Sequence, residues 1–361
     1  MSDDLVNYCG GLGVRIQKLL DYFIKDHECV VYTTCPVDSY EYKGVPVKSL
    51  TKNKKVLKGV DFGGLESYIG LNLEVIKNNK FKPDIIIATD HPCIMSGIQL
   101  KYYYSCKLIV EFNLALFSYE KLYNSQNLNE ANKIRSNIMK DTEHLGCLES
   151  DVTVMCSKYY ADVCPFPCNK MAVIPNAINI EEFETQIDFK YPFGDVYLLY
   201  IGRFNIQKGV DILLNIHLPP SVHIYFAGSD RGGNLCQAVM EVCNKKPNFH
   251  FLGELKDSKK VGAIQNAHAV IFPSRHEPFG IVGLEAMICK TPLITTRTGG
   301  IASYTNKNTC IECTENTVEQ SILKFLKMPK KEVDEMVQKA YKNAQKYDWK
   351  NIYKQYKQWL N

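Results

Sequence analysis

Short runs of apolar, mostly β-branched residues recur along this chain, separated by longer amphipathic stretches. In the first half, Cys29-Val-Val-Tyr-Thr, Asp84-Ile-Ile-Ile-Ala, Lys107-Leu-Ile-Val-Glu, Asp151-Val-Thr-Val-Met and Ala172-Val-Ile-Pro read as strands. In the second half, Tyr197-Leu-Leu-Tyr-Ile, His223-Ile-Tyr-Phe-Ala, Phe249-His-Phe-Leu, Ala269-Val-Ile-Phe and Pro292-Leu-Ile-Thr do the same. Strands alternating with helices are the sequence form of repeated βαβ units, so two sets of runs predict two doubly wound α/β sheets. The polar, non-periodic segment 179–195 separates the sets and is the expected linker. Near the end, Trp349, Ile352, Tyr353, Tyr356 and Trp359 recur at helical spacing, which predicts a terminal helix with an aromatic face to bury. No solenoid period or low-complexity tract interrupts this plan.

The run Ala269-Val-Ile-Phe leads into Pro-Ser-Arg-His-Glu277-Pro-Phe-Gly280-Ile-Val-Gly-Leu-Glu285-Ala-Met287. It reads as a buried strand, a turn at Pro278 and Gly280, and a helix from Ile281. Backbone N–H groups near Phe279, Gly280 and Ile281 then lack intrahelical partners and offer donors, with a positive dipole end, to an anion or hydroxyl. Glu277 stands in the loop, and Glu285, one to two turns into the helix, can accept hydrogen bonds from a diol such as a ribose. The second half opens similarly: a strand ends at Gly202, and Arg203 and Lys208 follow in a loop leading to a helix near Val210. A guanidinium fork and an ammonium at a strand's carboxyl end suit a diphosphate, and open α/β sheets bind ligands there. Taken alone, two exposed cations are an ordinary surface loop; beside the two glutamates they read as a site.

Composition agrees with a two-domain enzyme, because 361 residues at 45% hydrophobic can bury more than one core. The balance of 43 basic to 39 acidic residues gives +4, too weak to point to nucleic acid. No N-terminal signal pattern is present and no apolar run approaches the roughly 20 residues of a membrane span, so a cytoplasmic protein is expected. Fourteen cysteines raise a metal reading: Cys310-Ile-Glu-Cys313 has CxxC spacing, and Cys164 and Cys168 form a second near pair. A zinc site of the finger type wants paired short spacings and a following His, which are missing, so buried free thiols are the expectation and no metal is assigned.

In order along the chain, these residues resemble the retaining glycosyltransferases of the GT-B fold, specifically the GT4 or glycosyltransferase group 1 family. Val173-Ile-Pro-Asn-Ala-Ile-Asn-Ile-Glu-Glu-Phe183 is similar to the element that closes that family's N-terminal domain. Gly202-Arg203 with Lys208-Gly209, then Ala227-Gly228, Glu277 with Glu285, and Thr298-Gly-Gly-Ile301 match its successive C-terminal motifs. Gly10-Gly11-Leu-Gly13 resembles the N-terminal glycine loop that faces the donor phosphates. The resemblance implies two Rossmann-like domains facing a cleft: 1–178 for the acceptor, 179–345 for a nucleotide sugar, and a helix, 346–361, crossing back to the first. It implies that Arg203 and Lys208 neutralise the departing nucleoside diphosphate and that Glu285 holds the ribose. Glu277 and the amides of Phe279, Gly280 and Ile281 would bind the donor sugar and phosphate, with Gly11 and Gly13 beside them. Such a leaving group needs no divalent ion, and no Asp-x-Asp element is present, so the expectation is a metal-independent, cofactor-free transfer with retention, by front-face attack.

Two positions depart from the family. His91 fits its strand-end histidine near the donor, although a His beside Pro92 is equally a turn residue. In Val110-Glu-Phe-Asn113 the last position is usually His, and an amide cannot exchange a proton near neutral pH, which leaves Glu111 or His144 as substitutes. Only nine residues precede Gly10, where members carry a long first strand, so that strand is expected to be lost or cut away. Segments 40–62 and 114–140 read as long polar loops facing the acceptor. Lys52, Lys54, Lys55 and Lys58 read as a solvated surface, with contact to anionic lipid headgroups as the alternative. A glycogen or starch synthase, a non-hydrolysing nucleotide-sugar epimerase and a catalytically silent nucleotide-sugar-binding subunit stand as alternatives to a transferase with an unknown glycan, lipid or small-molecule acceptor.

Overall fold

The computed structural model describes residues 11–33, 40–49, 81–118, 130–192, 196–230 and 234–360. The chain divides into two compact units, Met1–Asn176 with Trp349–Asn361, and Ala177–Asp348. Gly10 and the lysines at 52, 54, 55 and 58 lie outside the described residues, as does the stretch before Gly10.

In the first unit, β1 (Val31–Thr33), β2 (Tyr40–Tyr42) and β3 (Val45–Ser49) form a sheet of order β1-β3-β2. The segment read as a polar loop from residue 40 therefore begins as a β-hairpin. Its turn, Lys43-Gly44, has φ of 51° and 85°, the doubly positive φ that matches strand twist in a two-residue hairpin, and it directs Val45 and Val47 inward. The main sheet of the unit is fully parallel, β4 (Ile85–Thr89), β5 (Lys107–Phe112), β6 (Val152–Met155) and β7 (Met171–Val173), in that order. Leu108, Ile109, Val110 and Phe112 of β5 are wholly buried, because helices cover both faces of a parallel sheet and leave no place for alternation. Helix His91–Tyr104 approaches β4 so closely that a Cβ on Gly97 would lie 2.7 Å from the Ala88 methyl. Segment 114–140 is likewise not one loop: a helix, Glu130–Glu149, starts inside it. Its apolar side, with Met139 and Cys147 buried, is narrow beside a Lys-, Asn- and Glu-rich remainder, which is why the pattern read as polar.

The second unit is built on six parallel strands, β8 (Val196–Ile201), β9 (Val222–Ala227), β10 (Phe249–Gly253), β11 (Ala269–Phe272), β12 (Leu293–Thr295) and β13 (Ile311–Glu312), ordered β10-β9-β8-β11-β12-β13. Counted from β8, that is the 3-2-1-4-5-6 order of the doubly wound nucleotide-binding fold. The strand order reverses between β8 and β11, so the loops leaving these two strands part to opposite sides and leave a crevice at their carboxyl ends. The core fills with Leu198, Tyr200, Phe204, Ile224, Phe226, Ala269, Ile271 and Ile294, against Val318 and Ile322 of helix Val318–Phe325. Strand β13 went unread because two residues carry no period; Cys310 and Cys313, the CxxC pair, flank it as buried thiols.

The terminal helix, Trp349–Lys357, belongs to the first unit. Tyr353 stacks on Tyr22 at 5.2 Å and Tyr356 meets Phe23 edge-on at 5.7 Å, both on helix Gly11–Phe23. Among the described residues no helix is long and apolar enough to cross a membrane.

Candidate functional site

Arg203 and Lys208 leave β8 on one side of the switch point, and Glu277 leaves β11 on the other. The two loops are laced together: Arg275 N–H donates to the Gln207 carbonyl at 2.8 Å, and Gln207 Nε2 donates to the His276 carbonyl at 3.3 Å. The first loop is held by its own sequence, since Asn205 Oδ1 accepts from Lys208 N–H at 2.9 Å. Gly209 follows with φ 70°, and its missing Cβ would stand 2.1 Å from the Pro273 carbonyl, so no other residue lets the loops approach this closely.

Between the loops, Lys208 Nζ pairs with Glu277 Oε1, which also accepts from Ser274 Oγ at 2.8 Å. The Glu277 side chain is 3% exposed and that of Lys208 15%, so the pair is screened from water. His276, beside them, is buried; burial first, and then the Lys208 ammonium, pushes its imidazole down to about 4. It is therefore a neutral ring near pH 7. Arg275 is neutralised by a bidentate contact to Asp211, 2.8 Å on each arm, and by Glu315 at 2.8 Å. That leaves Arg203, which is exposed and among the described residues meets no carboxylate, as the second cation of the loop.

Gly280, with φ 89°, caps helix Ile281–Ile288. The amides of Phe279, Gly280 and Ile281 donate to no group among the described residues, while the Phe279 ring is buried against Tyr304 and Tyr347 at 5.2 and 5.8 Å. The backbone of Phe279 thus faces the site and its ring anchors the turn. The glycine loop after β12 sits directly on this backbone: Gly300 N–H donates to the Glu277 carbonyl at 2.6 Å. Glu285 lies within the helix, 4% exposed, and Lys260 of helix Asp257–Gln265 pairs with its Oε1. Its Oε2 is buried and has no hydrogen-bond partner among the described residues, an acceptor whose desolvation is uncompensated. Lys260 was not legible in the sequence, since nothing in a helix 25 residues upstream marks it as the partner of Glu285.

Gly11, Gly13 and His91 belong to the first unit. The glycines stand in the first turn of helix Gly11–Phe23 rather than in a loop. His91 opens helix His91–Tyr104, and burial, with Arg135 behind it, lowers its imidazole to about 4. Asp90 Oδ1 accepts from the N–H groups of Asn113 and Leu114 at 2.6 and 3.0 Å, and burial raises its carboxyl to about 6. The Asn113 side-chain amide is shut off from solvent with neither end bonded among the described residues. The two proposed substitutes for a histidine there are otherwise engaged. Glu111 receives Arg15 Nη2 at 3.1 Å and Thr89 Oγ1 at 3.3 Å, and His144 stacks on Phe166 at 4.9 Å. Arg15 itself, buried in helix Gly11–Phe23, donates also to the Pro175 carbonyl at 3.1 Å and Asn176 Oδ1 at 2.9 Å. That contact gives the Ile174-Pro-Asn176 motif its physical purpose; a single arginine in an amphipathic helix carried no signal of it.

Residues 183–347, which contain all of these second-unit groups, match the family of glycosyl transferases group 1. Over those residues the chain is a member of the glycosyl transferases group 1 family. This glycosyltransferase is 26% identical over 297 residues to an uncharacterized glycosyltransferase of Methanocaldococcus jannaschii, covering 81% of the chain and 77% of the relative. In structure it is similar to sucrose-phosphate synthase from Thermosynechococcus elongatus, with a TM-score of 0.79 at 18% identity over 97% of this chain and 92% of that one. It is also similar to Anabaena HepE in complex with UDP-glucose, with a TM-score of 0.75 at 16% identity over 97% and 95%. These likenesses establish the GT-B fold for the glycosyltransferase, with its two parallel sheets of four and six strands.

Proposed function

We propose that this glycosyltransferase takes its sugar from a nucleoside diphosphate sugar held at the β8/β11 switch point, and transfers it with retention and without a divalent ion. The observation that carries the reading is the pairing of Lys208 with Glu277 across that crevice, beside a glutamate, Glu285, with a buried acceptor oxygen unfilled. In this reading the unit Ala177–Asp348 binds the donor and the first unit the acceptor. Glu285 accepts from the ribose hydroxyls. Glu277 binds the sugar hydroxyls and faces the positive charge that grows on the anomeric carbon as the bond to phosphate breaks. Arg203, Lys208 and the amides of Phe279, Gly280 and Ile281 receive the negative charge that grows on the leaving diphosphate, and do so with donors already in place. Lys208, with three N–H bonds, can keep Glu277 while reaching a phosphate oxygen. A hard divalent ion would want clustered carboxylates, and here each glutamate already faces a lysine. The UDP-glucose complex of Anabaena HepE supports a nucleotide-sugar donor, and for Gly11, Gly13 and His91 the support is the family resemblance.

The test needs no acceptor. A panel of nucleotide sugars is scored by thermal shift and by nucleoside diphosphate release to water, with and without chelator. One donor is expected to stabilise the protein, and its release to persist in chelator. Glu285→Ala should weaken donor binding by about 10- to 100-fold, the loss of a charged hydrogen bond. Arg203→Ala and Lys208→Ala should each slow release by about 10²–10³-fold. Release abolished by chelator would sink the metal-free reading, and stabilisation unaffected by Glu285→Ala would remove the donor from this crevice.

A further inference from the structure

Three thiols converge in the first unit, and none of them is among the residues assigned to the donor. Cys147 lies in the last turn of helix Glu130–Glu149 and is fully buried. Cys164 caps the end of helix Lys158–Val163, and Cys168 follows on the way into β7. The three sulfurs all lie within 4.8 Å of one another, with Cys147 and Cys164 at 4.0 Å. Among the described residues this is the one such gathering of His, Cys, Asp or Glu ligand atoms.

The arrangement is built from both sides rather than by the thiols themselves. In Cys164-Pro-Phe-Pro-Cys168 the two prolines fix φ at alternate positions, which stiffens the loop. The Phe166 carbonyl accepts from Cys164 Sγ at 3.8 Å and from Cys168 Sγ at 3.7 Å, turning both sulfurs to one side. The Phe166 ring stacks on His144, one turn before Cys147, at 4.9 Å. Asn169 Nδ2 donates to the Leu148 and Ser150 carbonyls at 3.0 Å each, pinning the loop to the end of the helix that carries Cys147. Three sulfurs on one tetrahedral zinc stand about 3.8 Å apart, given a bond near 2.3 Å. The cluster therefore needs to contract by no more than about an ångström. Cys164 and Cys168 are half-buried, which leaves an entry path. By contrast, Cys310 and Cys313 gather no third ligand within that reach among the described residues.

We propose that Cys147, Cys164 and Cys168 form a three-thiolate zinc site, with water in the fourth position, that ties the end of helix Glu130–Glu149 to the Cys164–Cys168 loop and β7. Binding converts the three thiols to thiolates and releases their protons to solvent, and the ion stabilises the folded unit by mass action. The site is independent of the donor crevice and stands or falls separately.

The full chain, purified reduced, is loaded with zinc, dialysed, and assayed for bound metal by elemental mass spectrometry; a cobalt(II)-loaded sample is read for thiolate-to-metal charge-transfer absorption. One zinc per chain, a raised melting temperature and the charge-transfer band are expected. Cys164→Ser and Cys168→Ser, both at half-exposed positions that tolerate the change, should lose all three, and Cys243→Ser in the second unit should lose none. Zinc bound equally by the Cys164→Ser and Cys168→Ser variants, a cobalt spectrum without thiolate character, or a Cys147–Cys164 disulfide in protein trapped with a thiol-blocking reagent would each overturn the proposal.

Discussion

At the scale of single residues, the site owes its character to burial acting on charge. His276 is held neutral by the desolvation of its ring and by Lys208, with its imidazole at about 4 in the fold against an ordinary value near 6.5. Between those values the unfolded chain binds a proton that the folded chain refuses. The stability contributed is thus complete above the unfolded value and is lost as pH falls toward 4. On going from pH 7 to pH 5, denaturant unfolding of the wild type should lose about 2 kcal/mol more than that of His276→Gln, which has nothing to titrate. Equal losses in the two proteins would mean that the ring is charged in the fold. Asp90 runs in the opposite sense: its carboxyl, raised to about 6 by burial, keeps a proton that the unfolded chain releases, so its contribution falls as pH rises through that range. Glu277, Glu285, Arg203 and Lys208 stood out in the sequence because two cations after one strand and two carboxylates after another occur together, where either pair alone reads as ordinary surface. Lys260, Arg15 and Cys147 were not, because each acts on a residue far along the chain, and nothing local distinguishes it from a solvated lysine, an ordinary helix arginine or a core thiol.

Among elements, the decisive contact is the glycine loop of β12 against the turn after β11. A Cβ on Gly300 would stand 1.9 Å from the Pro278 carbonyl, and one on Gly299, at φ 80°, 2.3 Å from that of Glu277. Gly300→Ala must therefore push the turn away and carry Glu277 and the three donor amides with it. The expected outcome is a loss of donor-induced thermal stabilisation together with a destabilisation of about 2 kcal/mol or more. Full donor binding in that variant would show that the turn does not need the glycine loop. The strands were legible because long apolar runs such as that in β5 have few other readings. The hairpin of β2 and β3 and the helix from Glu130 were missed, since their apolar faces are short or narrow within Lys- and Asn-rich sequence.

For the molecule as a whole, the chain leaves the first unit after Asn176 and returns to it at Trp349. Stability of that unit then rests on the last residues of the chain: Trp349, Ile352 and Tyr356 are buried, and the Tyr356 hydroxyl is 3.5 Å from Arg15 Nη2. Tyr356→Ala should cost the first unit about 3–5 kcal/mol, the usual loss for truncating a buried aromatic. Its signature would be earlier proteolysis within 81–176, with donor-dependent protection of 177–348 unchanged. Cleavage rising equally in both units would contradict the division.

By itself the sequence determined what local chemistry can determine. Apolar runs set the strands, glycines and prolines set the turns, and each short motif set its part of the family resemblance, because each of these depends on residues close together in the chain. Only the tertiary structure decided which charges meet. It paired Lys208 with Glu277 and Lys260 with Glu285, enclosed Arg15 among Glu111, Pro175 and Asn176, and drew Cys147 to Cys164 and Cys168. The physical reason is that a charge or a thiol changes character with the partner and the burial it meets across the fold, and sequence spacing does not encode either.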